Sequence, residues 1–425
     1  MLIQLTNQGK KFFGIPFSPV LYSGSILSLL NILAGALGYL YQVMMGRFLP
    51  PAEFAVFSAM MALTATLVSP FGALVLAVSR KVSTLIVAEK IYELRALFLA
   101  INKKLFWIVL ATIPFYAIIL KPLQHYLKAQ DLVSIVIVGA IVVISAFSSI
   151  ALAFLQGMKR FMYLGLNGIL IGLCKIIFSG VLVYFGLGVV GGIAGVALSY
   201  ICLYCLWFLI LSKIFITQKK PLAYKLTVNL SMLKGNLPVL ISSMAIVMMT
   251  QSDVILVNWF YPGDVAGIYA AASILGKAIF YLPGGLVLAM YPMVSEGHAS
   301  GSDTKKILIP VLQFGLGIGF ASCFFYAVFG GWIINIFYGD KYSAAGTLLR
   351  WYGFMMLPYI FVLVAEQYLI AKRRVLYVWL FLLMCPFQVL AVFLWHSELW
   401  MVMAIVGISG LVLALLGAIL MKVIK

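Results

Sequence analysis

The segment FLPPAEFAVF (48–57) separates two long apolar runs, and a degenerate copy of it occurs far downstream. It can be laid on FYPGDVAGIY (260–269) with a shift of 212 residues. At the same shift GALVLAV (72–78) meets GGLVLAM (284–290), and Val82-Ser83 meets Val294-Ser295. Farther on, KRFMY (159–163) meets RRVLY (373–377) after a shift of 214. One nearly constant offset across separate matches marks an internal duplication. The chain therefore reads as two halves of the same design.

Each half is built from membrane-length segments. Of the 425 residues, 64% are hydrophobic and only 9% charged, with a mean hydropathy of +1.14. Soluble domains carry roughly a quarter charged residues. Apolar runs of about 20 residues cross a bilayer core as helices, and twelve are predicted: 20–45, 54–79, 104–120, 132–156, 162–184, 189–212, 237–260, 265–291, 307–331, 350–371, 375–395 and 399–421. The expected fold is an all-α membrane protein of twelve transmembrane helices in two six-helix bundles, residues 1–212 and 237–425, joined by a basic linker, 213–236. Six crossings per half are an even number, so the halves enter the membrane in the same orientation as parallel repeats, with a cavity expected between them.

Charge sets the orientation. With the N-terminus cytoplasmic, 22 of the 29 Lys and Arg residues fall in inner segments and five in outer ones: Arg47, Lys121, Lys128, Lys341 and Arg350. Such a bias places both termini in the cytoplasm. It also accounts for the net charge of +18 through orientation and anionic lipid, without nucleic acid as a partner. The first run is too long for a cleavable leader, and residues 1–18 read as a short interfacial segment. The five cysteines fall inside predicted spans without metal-ligand spacing, and the three histidines lie far apart, so neither a metal nor a cofactor is expected. The glycines of GLGVVGGIAG (186–195) read as a turn rather than a nucleotide loop, and the sequon NLS (229–231) falls on the cytoplasmic side. No catalytic constellation is present, and the short outer loops leave little room for an active site. The chain does not read as an enzyme.

Two cations remain inside the membrane. Lys175 lies about ten residues, or roughly 15 Å, from either end of its span. Asn167 and Ser179 share its face. Lys277 lies near the middle of span 8, with Ser273 and Tyr269 one and two turns back. A mid-membrane charge is costly and faces either a partner or a hydrated cavity. The available acids are Asp253 in span 7 and Glu366 in span 10. Each lysine is thus half of a structural ion pair or part of an anion-attracting cavity. Asp253 carries a coupling ion or neutralises Lys277. Gly24, Ser28, Asn31, Gly35, Gly38 and Gln42 form a stripe along span 1, which is either a close-packing seam or a wet wall.

Several of these segments resemble the multidrug/oligosaccharidyl-lipid/polysaccharide exporter superfamily: GRFLPPAEFAVFSAMMAL (46–63), QSDVILVNWFYPGDVAGIYAAASIL (251–275), LPGGLVLAMYPMVSE (282–296) and FYGDKYSAAGTLLRW (337–351). Ala55 stands where the superfamily usually has glycine. Within it the chain is similar to the polysaccharide transporter branch, Wzx-type flippases of O-antigen or capsule repeat units. The resemblance implies a fold like that of the MATE exporters. It also implies a bacterial inner-membrane flippase that moves a polyprenyl-pyrophosphate-linked oligosaccharide outward by alternating access, beside polysaccharide polymerase and chain-length machinery. On that reading Lys175 and Lys277 meet the pyrophosphate. Arg47 and Arg80 receive or release it, or are ordinary topology charges. Asn31, Gln42, Asn167 and Tyr269 face the sugars. The competing readings are a cation-coupled multidrug antiporter, a lipid II flippase (which usually has two further spans) and a membrane glycan polymerase or ligase.

Overall fold

The computed structural model describes residues 11–12, 15–16, 19–90, 93–216, 237–372 and 374–423. Apart from a two-residue antiparallel pair, Lys11–Phe12 with Ile15–Pro16, the described residues form helices. The first half contains α1 (Pro19–Phe48), α2 (Pro51–Val68), α3 (Phe71–Val87), α4 (Glu93–Leu127), α5 (Leu132–Gly157), α6 (Phe161–Leu182) and α7 (Gly188–Ile216). The second contains α8 (Leu237–Phe260), α9 (Gly263–Tyr281), α10 (Gly284–Ala299), α11 (Lys305–Tyr338), α12 (Ala345–Ala371), α13 (Leu376–Leu394) and α14 (Leu399–Val423). Eleven stretches are long and apolar enough to cross a membrane, and one of them, the 54 residues Met162–Phe215, contains both α6 and α7. A π turn at Val183–Leu187 separates those two, with Gly186 at φ 85°. Counted as crossings, the described helices make twelve.

The duplication is visible in the packing. In the first half α5 packs on α2, α3, α4 and α7, while α6 packs on α1 and α7. In the second half α12 packs on α9, α10, α11 and α14, while α13 packs on α8 and α14. These are the same pairings after renumbering by seven. The halves meet chiefly where α2 lies against α8 and α9. Linker residues 217–236, with the sequon, and nearly all of the interfacial segment 1–18 lie outside the described residues.

Three boundaries differ from the hydropathy reading. Predicted span 2 is two helices, α2 and α3, broken at Ser69-Pro70, and predicted span 8 is α9 and α10, broken at Leu282-Pro283. A proline removes a backbone donor and clashes with the preceding turn. A hydropathy window averages across that break, because the residues on both sides are apolar. The third is α4, which begins at Glu93 rather than near 104. Arg95, Lys103 and Lys104 lower the hydropathy of its first turns, yet Leu94, Leu97, Phe98 and Ile101 bury one face there.

Small residues let the helices approach. On α6 a Cβ added at Gly165, Gly168 or Gly172 would stand 2.3–2.8 Å from side chains of Leu30, Ala34 and Leu37 on α1. That is the close-packed seam of α1, and it is not the glycine stripe of α1 itself. Between the halves, a Cβ at Gly267 would meet the Pro51 carbonyl oxygen at 2.0 Å. Ala55, at the matching position of the first half, is also buried.

Candidate functional site

A cavity of about 650 Å³ opens between the halves. Its walls are α1 and α2 on one side and α8, α9 and the start of α10 on the other. Asn31, Gln42 and Ser58 supply polar groups from the first half, and Gln251 and Lys277 supply them from the second. Gly35 and Gly38 belong to the same wall, and a Cβ at either would find nothing within 4 Å. The described part of the span 1 stripe is therefore the cavity wall. Two buried oxygens there, Gln42 Oε1 and Ser58 Oγ, have no hydrogen-bond partner among the described residues. Buried polar atoms are nearly always paired, so these two sites suit a solvated or ligand-bearing space.

Lys277 stands on the cavity wall, but it has a partner behind it. Its Nζ donates to Asp253 Oδ1 at 2.9 Å. Asp253 is fully buried, and its second oxygen accepts from Tyr269 Oη at 2.9 Å, Ser273 Oγ at 3.3 Å and Tyr352 Oη. The Lys277 ammonium also lies 5.9 Å from the centroid of the Tyr352 ring. Burying an isolated charge is prohibitive, and it is tolerated here because an ammonium pairs with one carboxylate oxygen and hydroxyls donate to the other. Three of these groups sit one turn apart on α9 (Tyr269, Ser273, Lys277), which is how a single helix face can surround one carboxylate.

The other predicted residues lie elsewhere. Lys175 is half-buried within the first bundle, its Nζ 5.4 Å from the Tyr200 ring centroid and 6.0 Å from that of Tyr41. Among the described residues no carboxylate lies within ion-pair distance of it, and it does not line the cavity. Asn167 accepts from Trp207 Nε1 at 2.7 Å inside the same bundle. Tyr269 is enclosed and spends its hydroxyl on Asp253, so it is no wall residue. Arg80 is exposed on α3, outside the cavity lining. Glu366 is buried on α12 and has no basic partner at ion-pair distance among the described residues. Sequence reasoning missed Ser58, Gln251 and Tyr352. The first two carry a signal, a polar residue in an apolar span; Tyr352 carries none, because a tyrosine in a helix gives no hint of its partner.

Arg47 does not line the cavity. It donates to the backbone carbonyls of Phe337, at 2.8 Å, and Ile336 in the opposite half. Lys341 reciprocates to the carbonyls of Arg47 at 2.8 Å and Leu49 at 2.7 Å. Lys128 Nζ reaches the Tyr261 carbonyl at 2.8 Å, and Asn258 Nδ2 the Leu127 carbonyl at 2.9 Å. Phe54 packs beside these bonds against Tyr338 and Tyr342. All of this lies at the end where α1 passes into α2, opposite to the start of α1 and the end of α14. That end is closed, and the cavity lies on the other side of the closure. Charge-assisted hydrogen bonds contribute about 1.5–3 kcal/mol when sheltered and less when exposed. Lys341→Gln is accordingly expected to shift the equilibrium toward opening of this end by about tenfold, or roughly 1.4 kcal/mol. Distances between spin labels on the α1–α2 and α11–α12 connections measure it, and an unchanged distribution contradicts it.

Two packed helical bundles around a central cavity, closed at one end, define a membrane transporter fold shared by several exporters. An inward-facing multidrug resistance transporter of the MATE family superposes with a TM-score of 0.72 at 15% identity, over 89% of this chain and 92% of that one. The lipid II flippase MurJ in an inward closed conformation superposes with a TM-score of 0.74 at 14% identity, over 94% of this chain and 87% of its own. An uncharacterized membrane protein of Methanocaldococcus jannaschii is 25% identical over 184 residues, 40% of this chain and 43% of that protein. The family model for polysaccharide biosynthesis proteins matches residues 20–298. The chain belongs to that family, a polysaccharide transporter family of the multidrug/oligosaccharidyl-lipid/polysaccharide exporter superfamily.

Proposed function

We propose that this flippase carries a polyprenyl-pyrophosphate-linked oligosaccharide from the inner to the outer leaflet of a bacterial cytoplasmic membrane, and that it is not an enzyme. The observation that carries the reading is the cavity between the halves, closed at the end opposite to the start of α1 and the end of α14 and bearing Lys277 on its wall. With the termini cytoplasmic, as the basic-residue bias requires, this is an inward-facing state. Asn31, Gln42, Ser58 and Gln251 offer donors and acceptors to sugar hydroxyls, and Lys277 offers a cation to the pyrophosphate. The polyprenyl chain stays in lipid. Opening the closed end and shutting the other completes the transfer. Outward movement of an anion is favoured by an inside-negative potential, about 2.3 kcal/mol per charge per 100 mV. Membrane-embedded polymerase and chain-length proteins would take the product.

The ion pair sets the terms of the alternative. Asp253 neutralises Lys277, so this pair gives the cavity no net charge, and an organic cation is then a rival ligand. Binding to the purified protein separates the two. A short polyprenyl-pyrophosphate disaccharide is expected to bind at least about tenfold more tightly (~1.4 kcal/mol) than tetraphenylphosphonium. Asp253→Asn is expected to keep or raise that affinity, because it unmasks the lysine. Preference for the organic cation, lost in Asp253→Asn, would replace the flippase reading with a multidrug antiporter.

A further inference from the structure

At the closed end, outside the central cavity, lies a second pocket of about 470 Å³ lined by Lys121, Gln124, His125, Lys128, Ala129 and Trp259. We propose that it is a binding site for a phosphate or pyrophosphate group, assembled only while this end is closed. Two cationic side chains of the first half, Lys121 on the end of α4 and Lys128 just past it, converge on it, with Gln124 and His125 of α4 between them. No acid belongs to the lining. Lys128 is the informative one. Its backbone adopts φ 54°, a conformation unusual for lysine, and its Nζ reaches across the seam to the Tyr261 carbonyl. An ammonium has three donors, and only one is used there. Burial pulls the Lys128 ammonium below the ordinary lysine value, and a nearby anion offsets that loss.

Trp259 comes from the other half. Tyr126 stacks on it at 4.8 Å and the His125 ring meets it edge-on at 5.5 Å. The pocket therefore needs both halves in their present positions. A ligand that binds only this arrangement stabilises it, and closure raises the ligand's affinity by the same factor. Neither the pocket nor this linkage depends on what the central cavity carries. Two sources share the chemistry: a lipid phosphate at the membrane surface, and a soluble or glycan-linked phosphate.

The test uses inorganic pyrophosphate and purified full-length protein in neutral detergent, read by calorimetry. Saturable binding is expected in the wild type, weakened about tenfold (~1.4 kcal/mol) in Lys121→Ala/Lys128→Ala. Lys305→Ala/Lys306→Ala, which removes equal charge at the other end, should leave it unchanged. Pyrophosphate should also narrow the spin-label distance distribution across the closed end in the wild type alone. In nanodiscs, weakening of pyrophosphate binding by phosphatidylglycerol but not by phosphatidylcholine identifies a lipid phosphate as the occupant; equal binding in both identifies the soluble source. No binding in detergent, equal binding in both double variants, or a distribution that widens on addition would overturn the proposal.

Discussion

Replacing Lys277 with methionine is expected to destabilise the second bundle by about 3–5 kcal/mol, because it leaves a buried carboxylate without its cation. Asp253 has no exposure, whereas Lys277 reaches the cavity wall. The reverse change, Asp253→Asn, leaves a cation that water in the cavity can solvate, and an asparagine that still accepts from the tyrosines. Its cost should be clearly smaller. The double variant Asp253→Asn/Lys277→Met should recover most of the loss, since breaking a buried pair costs more than removing it. Thermal unfolding in detergent gives the order directly. Equal costs for the two single variants, or no recovery in the double, would mean that the pair does not hold this part of the bundle together.

The second large effect concerns the cavity wall. Gly38 faces open space on α1, and α1 packs through its other face, by Leu30, Ala34 and Leu37, against the α6 glycines. Gly38→Trp therefore places an indole in the cavity without disturbing the helix seam. Folding should be nearly unaffected, apart from about 0.5 kcal/mol in favour of the helix from exchanging glycine for tryptophan. Transport should fall below about one-tenth of wild type, a barrier rise of roughly 1.4 kcal/mol or more. Gly172→Trp on the seam should do the opposite: it unfolds the bundle rather than filling the path.

These two residues also show what a sequence can reveal. The duplication at a 212-residue offset, the apolar run lengths and the charge bias give the helix count and the two-halved architecture, because each is a long-range average that survives local errors. The proline breaks at Ser69-Pro70 and Leu282-Pro283 escape it, because the same averaging erases them. Asn31 and Gln42 stand out in the sequence as polar groups repeated at helical spacing in an apolar run. The stripe could not say which of its two readings holds, since small residues serve both seams and cavities. Lys277 was narrowed to Asp253 or Glu366 by counting intramembrane acids. Choosing between them required knowing that α8, and not α12, presents its acid to α9. Lys175, Asn167 and Tyr269 are placed at the substrate by the resemblance together with helical face. A face specifies direction around one helix axis, and its neighbour is set by the packing of the others.

The central claim is that a lipid-linked glycan crosses between the two halves. Its most direct measurement is translocation of a fluorescent polyprenyl-pyrophosphate disaccharide in proteoliposomes, followed by dithionite quenching of the outer leaflet. Wild type should move it, Gly38→Trp should not, and an inside-negative potential should speed outward transfer. Equal translocation by wild type and Gly38→Trp, or by wild type and protein-free vesicles, would contradict a path through the cavity.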